Sequence, residues 1–326
     1  MKRFFKWVLI ILLMLIVGGA IAGWTPDTDP TAMRAKYGGP ASQFIEVSGM
    51  KVHVRDEGPK DAPVIVLLHG SNSSLHTWDP WTAILTKSYR VIRFDQAGHG
   101  LTGAHPKRDY SAAAFVAAVE RVTQKLGVKR FTLGGNSMGG GIALTYAIAH
   151  PEKLSGLILV DASGAPDATP RSLPIGFRIA QTPGLRNIAL YITPRSFLEK
   201  SLYQSTSVHS IITPAMIDRY WELLRYPGNR QATIDRFSTK RVPIDPAAIR
   251  GVTVPTLIIW GEEDKLIPFS AGQWFAQNIK GSTLVSYKRV GHAPMEEAAQ
   301  RSASDVISWL AAPELKGDQF DKSGGA

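Results

Sequence analysis

The segment Gly135-Asn136-Ser137-Met138-Gly139 sets a serine between two glycines, with the apolar run Phe131-Thr132-Leu133 before it and the small-residue stretch 140–149 after it. That order predicts a strand, a tight turn and a helix, with the Ser137 hydroxyl lifted clear of the backbone. Glycines suit the flanking positions because a side chain there would strike the adjoining strand or helix. Two further residues complete a candidate nucleophilic site. Asp264 follows the apolar run Pro255-Thr256-Leu257-Ile258-Ile259-Trp260, and His292 follows the strand-like stretch 283–290. Ser137, Asp264 and His292 therefore occur in the order serine, acid, histidine, each just past the C-terminal end of an expected strand. In parallel α/β sheets that edge is where ligand sites form. The chemistry of such a trio is acyl transfer. His292 takes the proton of Ser137 as its oxygen attacks an acyl carbon, while Asp264 holds the imidazole tautomer and stabilises the imidazolium.

The elements that must position these residues are visible as hydrophobic patterns. Val64-Ile65-Val66-Leu67-Leu68 is a continuous apolar run, the mark of a strand buried on both faces, and it leads into His69-Gly70-Ser71. Residues 89–95 and 154–161 give further strands. Met50, Val52 and Val54 alternate with Lys51, His53 and Arg55, a half-exposed pattern that puts His53 on the surface. Phe115, Val119, Val122 and Leu126 mark one face of a helix ended by Gly127. The rhythm is that of an α/β fold with a doubly wound, mostly parallel sheet.

With the His69-Gly70 loop, the serine turn, the Gly-x-x-Asp turn at 261–264 and the Gly291-His292 turn in this order, the chain resembles the α/β-hydrolase superfamily over residues 44–312. Asp95-Gln96-Ala97-Gly98-His99-Gly100 resembles a strand-end loop of that family, with Ala97 in the place of the usual proline. The resemblance implies an oxyanion hole made by the backbone N–H groups of Ser71 and Met138. It also implies a core formed by 43–162 and 253–312 and a helical cap inserted at 163–252. Pro170, Pro174, Pro183, Pro194, Pro214 and Pro227 divide that insertion into short helices joined by turns. Residues 313–326 read as a flexible tail.

Other polar residues compete for these roles. Glu262 and Glu263 adjoin Asp264, but the Gly-x-x-Asp register and the following Pro268 favour Asp264. Asp161, at the end of an earlier strand, reads as a helix cap or loop anchor before it reads as a substitute acid. His69 is expected to shape its loop by hydrogen bonding, His99 to line the adjacent loop, and Trp78 and Trp81 to pack.

Composition narrows the class further. The 326 residues are 44% hydrophobic and 20% charged, an ordinary globular balance. The chain has no cysteine, which excludes disulfides and thiolate catalysis, and its eight histidines show no metal-ligand spacing, so neither metal nor cofactor is assigned. A formal charge of +10 invites a nucleic-acid reading. The basic residues are scattered, however, apart from Lys2, Arg3 and Lys6 and short groups such as Lys240-Arg241, and that pattern marks a solvated surface. Nucleic acid is not expected as a partner.

After Lys2, Arg3 and Lys6, residues 7–24 carry no charge and would reach roughly 27 Å as a helix, close to a bilayer's hydrocarbon thickness. This predicts an N-terminal transmembrane signal-anchor at 1–24, with the N-terminus inside and the catalytic domain facing the periplasm or exterior of a bacterial-type inner membrane. A cleaved signal peptide ending at Ala22 is the alternative. Residues 25–42, rich in Pro, Gly, Asp and Thr, read as a linker. Ester hydrolysis of a small apolar substrate is the first expectation for activity. Gly135-Asn136-Ser137-Met138-Gly139-Gly140 also resembles the elbow of hydrolases that cleave carbon–carbon bonds in ring-fission products, although Ala293 stands where those carry a tryptophan. A non-catalytic ligand sensor is a third possibility, since fold alone does not fix function.

Overall fold

A computed structural model describes residues 1–166, 174–239 and 242–312. Its strands are β1 (Ser42–Val47), β2 (Met50–Glu57), β3 (Val64–Leu68), β4 (Arg90–Phe94), β5 (Phe131–Asn136), β6 (Leu154–Val160), β7 (Thr256–Gly261) and β8 (Thr283–Tyr287). They form one sheet in the order β1-β2-β4-β3-β5-β6-β7-β8. Pairing is parallel from β4 to β8, and β1 and β2 add an antiparallel edge. This is the expected doubly wound, mostly parallel sheet.

Strand periodicity divides the core in two. Val66 and Leu68 of β3 enter one cluster with Phe115 and Val119 of helix Ala112–Lys125, Ile142 and Leu144 of helix Met138–Ala149, and Phe275 of helix Phe269–Asn278. Ile65 and Leu67 point the other way, to Trp78, Trp81 and Leu85 and to Val306 and Leu310 of helix Ala299–Leu310. Successive side chains on opposite sheet faces are what a period of two requires. Each fully buried leucine or isoleucine contributes roughly 1.5–3 kcal/mol, so the central strands are the most firmly held part of the molecule. Trp78 and Trp81 pack as expected, and the Trp81 indole N–H also donates to Ser302 Oγ at 2.8 Å.

One core position departs from its pattern. His53, expected on the surface, is fully buried. Its face of β2 is covered: the imidazole stacks on Phe44 of β1 with ring centroids 5.2 Å apart, lies 6.2 Å from the His76 ring, and is 2.7 Å from Asp95 Oδ2 through Nδ1 and 2.7 Å from Ser42 Oγ through Nε2.

Between β6 and β7 stand helices Ile175–Gln181, Leu185–Ile188, Arg195–Ser205, Pro214–Leu224, Asn229–Ser238 and Pro246–Arg250. Prolines open several of them: Pro174 and Pro194 are N-caps, and Pro214 and Pro246 are first residues, where the missing N–H leaves no bond unmade. Pro170, Lys240-Arg241 and the 313–326 tail lie outside the described residues.

The N-terminal region corrects the sequence reading. Residues Lys2–Gly23 do form a helix. Yet among the described residues no helix is long and apolar enough to cross a membrane, which contradicts the inner-membrane placement with an external catalytic domain and leaves the signal-anchor and the membrane as a partner unsupported. The apolar run thins at Gly18-Gly19, and the end of the helix is engaged elsewhere. Trp24 stacks on Tyr191 of the insertion with ring centroids 5.2 Å apart, and the Thr25 N–H donates to the Tyr191 carbonyl at 2.8 Å. Nor is 25–42 an open linker. Asp29 caps helix Pro30–Tyr37 through the Ala32 N–H, and Asp27, Lys36 and Tyr37 bind Arg230 and Glu222 of the insertion.

Candidate active site

Ser137 joins β5 to helix Met138–Ala149 with φ 54° and ψ −116°, a strained conformation for a residue with a side chain. Close packing enforces it. A Cβ on Gly135 would lie 2.3 Å from the Gly139 carbonyl group, and one on Gly139 would lie 2.3 Å from the Leu68 carbonyl oxygen. Backbone bonds hold the turn on both sides: the Ser137 N–H donates to Val160 O at 3.0 Å, and its carbonyl accepts from Ser163 N at 3.0 Å. Met138 is the first helical residue, so its N–H has no partner within the helix. The loop after β3 passes directly over this turn, since a Cβ on Gly70 would meet Asn136 Oδ1 at 2.8 Å and Ser137 Cβ at 3.3 Å. Ser71 and Met138 therefore flank the serine from two sides.

His292 and Asp264 arrive from the ends of β8 and β7. The His292 Nδ1–H donates to Asp264 Oδ2 at 2.7 Å, and Asp264 Oδ1 accepts from the N–H groups of Leu266 and Ile267 at 2.7 and 3.1 Å. Asp264 is almost fully buried and His292 nearly so. Ser137 and His292 line one cavity, together with Ser71 and Asn136. No hydrogen bond links Ser137 to His292 among the described residues. Such contacts are often loose without a substrate and tighten on binding.

Glu262 and Glu263 point elsewhere. Glu262 accepts from Ser286 Oγ, and Glu263 is exposed. Asp161, Asp264 and His292 bring ligand-type atoms within 4.8 Å of one another, but the Nδ1–Oδ2 bond already uses the donor atoms a metal would need.

Several residues that build the site were not singled out by sequence. Glu297 is buried and accepts from Gly291 N, Ala293 N, Ser207 N and Val208 N at 2.7–3.0 Å, clamping both sides of His292 and tying that loop to the insertion. Asn136 donates through Nδ2 to the carbonyls of Val160 and His292. Arg236, also buried, reaches down from helix Asn229–Ser238 to Ser71 Oγ at 2.8 Å and Asn72 Oδ1 at 3.0 Å. Glu296 and Tyr220 line the same cavity. Burial pushes the Glu296 carboxyl up to about 7, with Arg219 opposing the shift.

The two histidines of the neighbouring loops are structural. Gln96 N–H donates to His69 Nε2 at 3.0 Å, so His69 carries its proton on Nδ1 and gives it to Gly70 O. Burial lowers its pKa and keeps the ring neutral. Burial would raise Asp95, but the charge and hydrogen bond of His53 hold its carboxyl well below the usual range. Asp95 then fastens both loops by accepting from Leu75 N and Leu101 N. Ser42, His53 and Asp95 thus make a second serine–histidine–aspartate chain. Its serine is no nucleophile, because Ser42 Oγ already donates to Gly38 O and accepts from Arg55 Nε.

A parallel sheet with a strained serine at one strand end and an aspartate–histidine pair at two others defines a hydrolase of nucleophilic type. The chain belongs to the α/β hydrolase fold family, whose model it matches over residues 63–299, and it is an enzyme of that fold. It is 26% identical over 292 residues to the 2-hydroxy-6-oxononadienedioate/2-hydroxy-6-oxononatrienedioate hydrolase of a Pseudomonas species, covering 83% of this chain and 97% of that protein. It is 28% identical over 272 residues to the 2-hydroxymuconate semialdehyde hydrolase of Pseudomonas sp. strain CF600, covering 82% and 93%. Among solved structures, a meta-cleavage product hydrolase from Pseudomonas fluorescens superposes with a TM-score of 0.72 at 22% identity, covering 82% of this chain and 97% of that one.

Proposed function

We propose that the enzyme hydrolyses a carbon–carbon bond in ring-fission products, unsaturated oxo acids that carry a carboxylate near a ketone. The observation that carries this reading is Arg236. A buried guanidinium bonded to Ser71 and Asn72 puts positive charge beside the expected oxyanion hole, where an acidic substrate would place its carboxylate or enolate. The two relatives act, by name, on oxo acids of this kind. They replace ester hydrolysis as the first expectation.

The residues then take these roles. Ser137 attacks the ketone carbon while His292 receives its proton, held in register by Asp264. Backbone N–H groups of Ser71 and Met138 receive the charge on the carbonyl oxygen. The carbon–carbon bond breaks with its electron pair leaving on the carbon conjugated to the acid. The proton on His292 passes to that carbon, and water, activated by His292, frees the acyl group from Ser137. One water is consumed, and a carboxylic acid and a shortened unsaturated acid result. The helices at 163–252 serve as the cap that closes over this chemistry and excludes bulk water.

Carboxylic-ester hydrolysis is the second reading. Ala293 favours it, because the carbon–carbon hydrolases it resembles carry a tryptophan there. A panel of chromogenic ring-fission acids and short activated esters separates the two. Greater kcat/KM on the acids supports the first reading, and turnover confined to esters supports the second. Stoichiometric binding without product would point to a ligand sensor.

A further inference from the structure

One buried ionisable group has no part in the reaction just described. Asp161 follows β6 with φ 43°, an unusual backbone for an aspartate, and it is fully buried. Its Oδ1 accepts the Gly261 N–H at 3.0 Å, while its Oδ2 has no hydrogen-bond partner. The side chain belongs to the cluster in which Asp161, Asp264 and His292 approach within 4.8 Å. Donors are unevenly shared between the two carboxylates. Asp264 receives two backbone N–H groups and the His292 Nδ1–H, whereas Asp161 receives one N–H. Two carboxylates buried side by side do not both ionise, and the proton settles on the one whose charge has fewer donors.

We infer that Asp161 holds a proton on Oδ2 at neutral pH and donates it as a hydrogen bond to Asp264, so that Asp161 is a positioning residue for the acid of the triad. The inference rests on the reading of Asp264 as that acid. An O–H here fills the one vacant hydrogen-bonding position at Asp161 and gives Asp264 a further donor. Burial first, and then the charge of Asp264, push the Asp161 carboxyl well above the usual range. The charged groups that bear most on it are the carboxyls of Asp264 and Glu297, and His292 stands in the same cluster. In the triad, the O–H draws charge from Asp264 and so tempers the basicity that Asp264 lends His292.

The test compares full-length wild type with Asp161→Asn and Asp161→Ala. Infrared spectra at neutral pH, taken in a Glu296→Gln background to remove the other protonated carboxyl, should show a carboxylic acid band that disappears when Asp161→Asn is added; an unchanged band overturns the inference. Asp161→Asn keeps an N–H donor, so its kcat should stay within about threefold of wild type and its acid limb in kcat/KM should not move. Asp161→Ala should lower kcat about tenfold with little change in KM and move that limb to higher pH, because Asp264 then bears on His292 undiluted. A purely structural residue would leave the limb in place. If Asp161→Ala does not fold, the infrared and kinetic results for Asp161→Asn decide the question. Loss of activity in Asp161→Asn with activity kept in Asp264→Asn would instead make Asp161 the triad acid, overturning the reading of Asp264 as well.

Discussion

Of the three adjacent carboxylates at 262–264, Asp264 is the one that meets His292, at 2.7 Å. Asp264→Asn should therefore lower kcat by about 10⁴, because the wrong imidazole tautomer results, while Glu262→Gln and Glu263→Gln should stay near wild type. Steady-state kinetics on one substrate ranks the three, and a crippled Glu263→Gln would contradict the register. Arg236 makes a different prediction. Arg236→Met should reduce kcat/KM for carboxylate-bearing substrates about 10- to 100-fold, the worth of a charged hydrogen bond, and leave neutral esters much less affected. Equal losses on both substrate types would remove Arg236 from substrate recognition. The positions of Ser137, Asp264 and His292 at strand ends were legible because each sits in a short local pattern. Arg236, Asn136 and Glu297 were not, since they act across 165, 156 and up to 90 residues of chain, and nothing local marks them.

At the scale of elements, the serine turn depends on the closeness of β3, β5 and the following helix. Gly139→Ala would put a methyl 2.3 Å from the Leu68 carbonyl oxygen, with backbone rather than a flexible side chain in the way. Overpacking of this kind should destabilise the fold by about 1–3 kcal/mol, read as a lower denaturation midpoint with an unchanged m-value. An unaltered midpoint would mean that the turn is looser than described. Strands were easily read where both faces are buried, as in Val64–Leu68, because continuous apolar runs leave little choice. β2 misled because alternation was taken to mean exposure, whereas Phe44, His76 and Asp95 close over His53 on its face of the sheet. The helix Pro30–Tyr37 was missed although Asp29-Pro30 is an N-cap followed by proline at the first helical position; a Pro- and Asp-rich composition masked that signal. The N-terminal apolar run was likewise judged by length and charge alone, and the stacking of Trp24 on Tyr191 could be seen only in three dimensions.

The molecule as a whole carries a pH signature in Glu296. Its pKa rises from the usual 4.5 to about 7 on burial in the cavity, so the unfolded chain ionises first as pH increases. The stability this proton provides is complete below about pH 4.5 and is lost as pH rises to about 7, on the order of 3 kcal/mol for a side chain that is 8% exposed. Glu296→Gln cannot ionise, so it should gain on wild type between those limits; denaturant midpoints that run parallel from pH 4 to 8 would contradict the shift. The larger claim is that sheet, cap and the Arg236 charge beside Ser71 together make a serine-dependent carbon–carbon hydrolase. Its most direct test is the visible absorbance of a ring-fission acid mixed with purified wild type and with Ser137→Ala. Wild type should bleach the compound catalytically and release two acids in equal amounts, and folded Ser137→Ala should lose nearly all of that turnover. Wild type that leaves the compound intact while hydrolysing simple esters, or Ser137→Ala that bleaches it at the wild-type rate, would contradict the account.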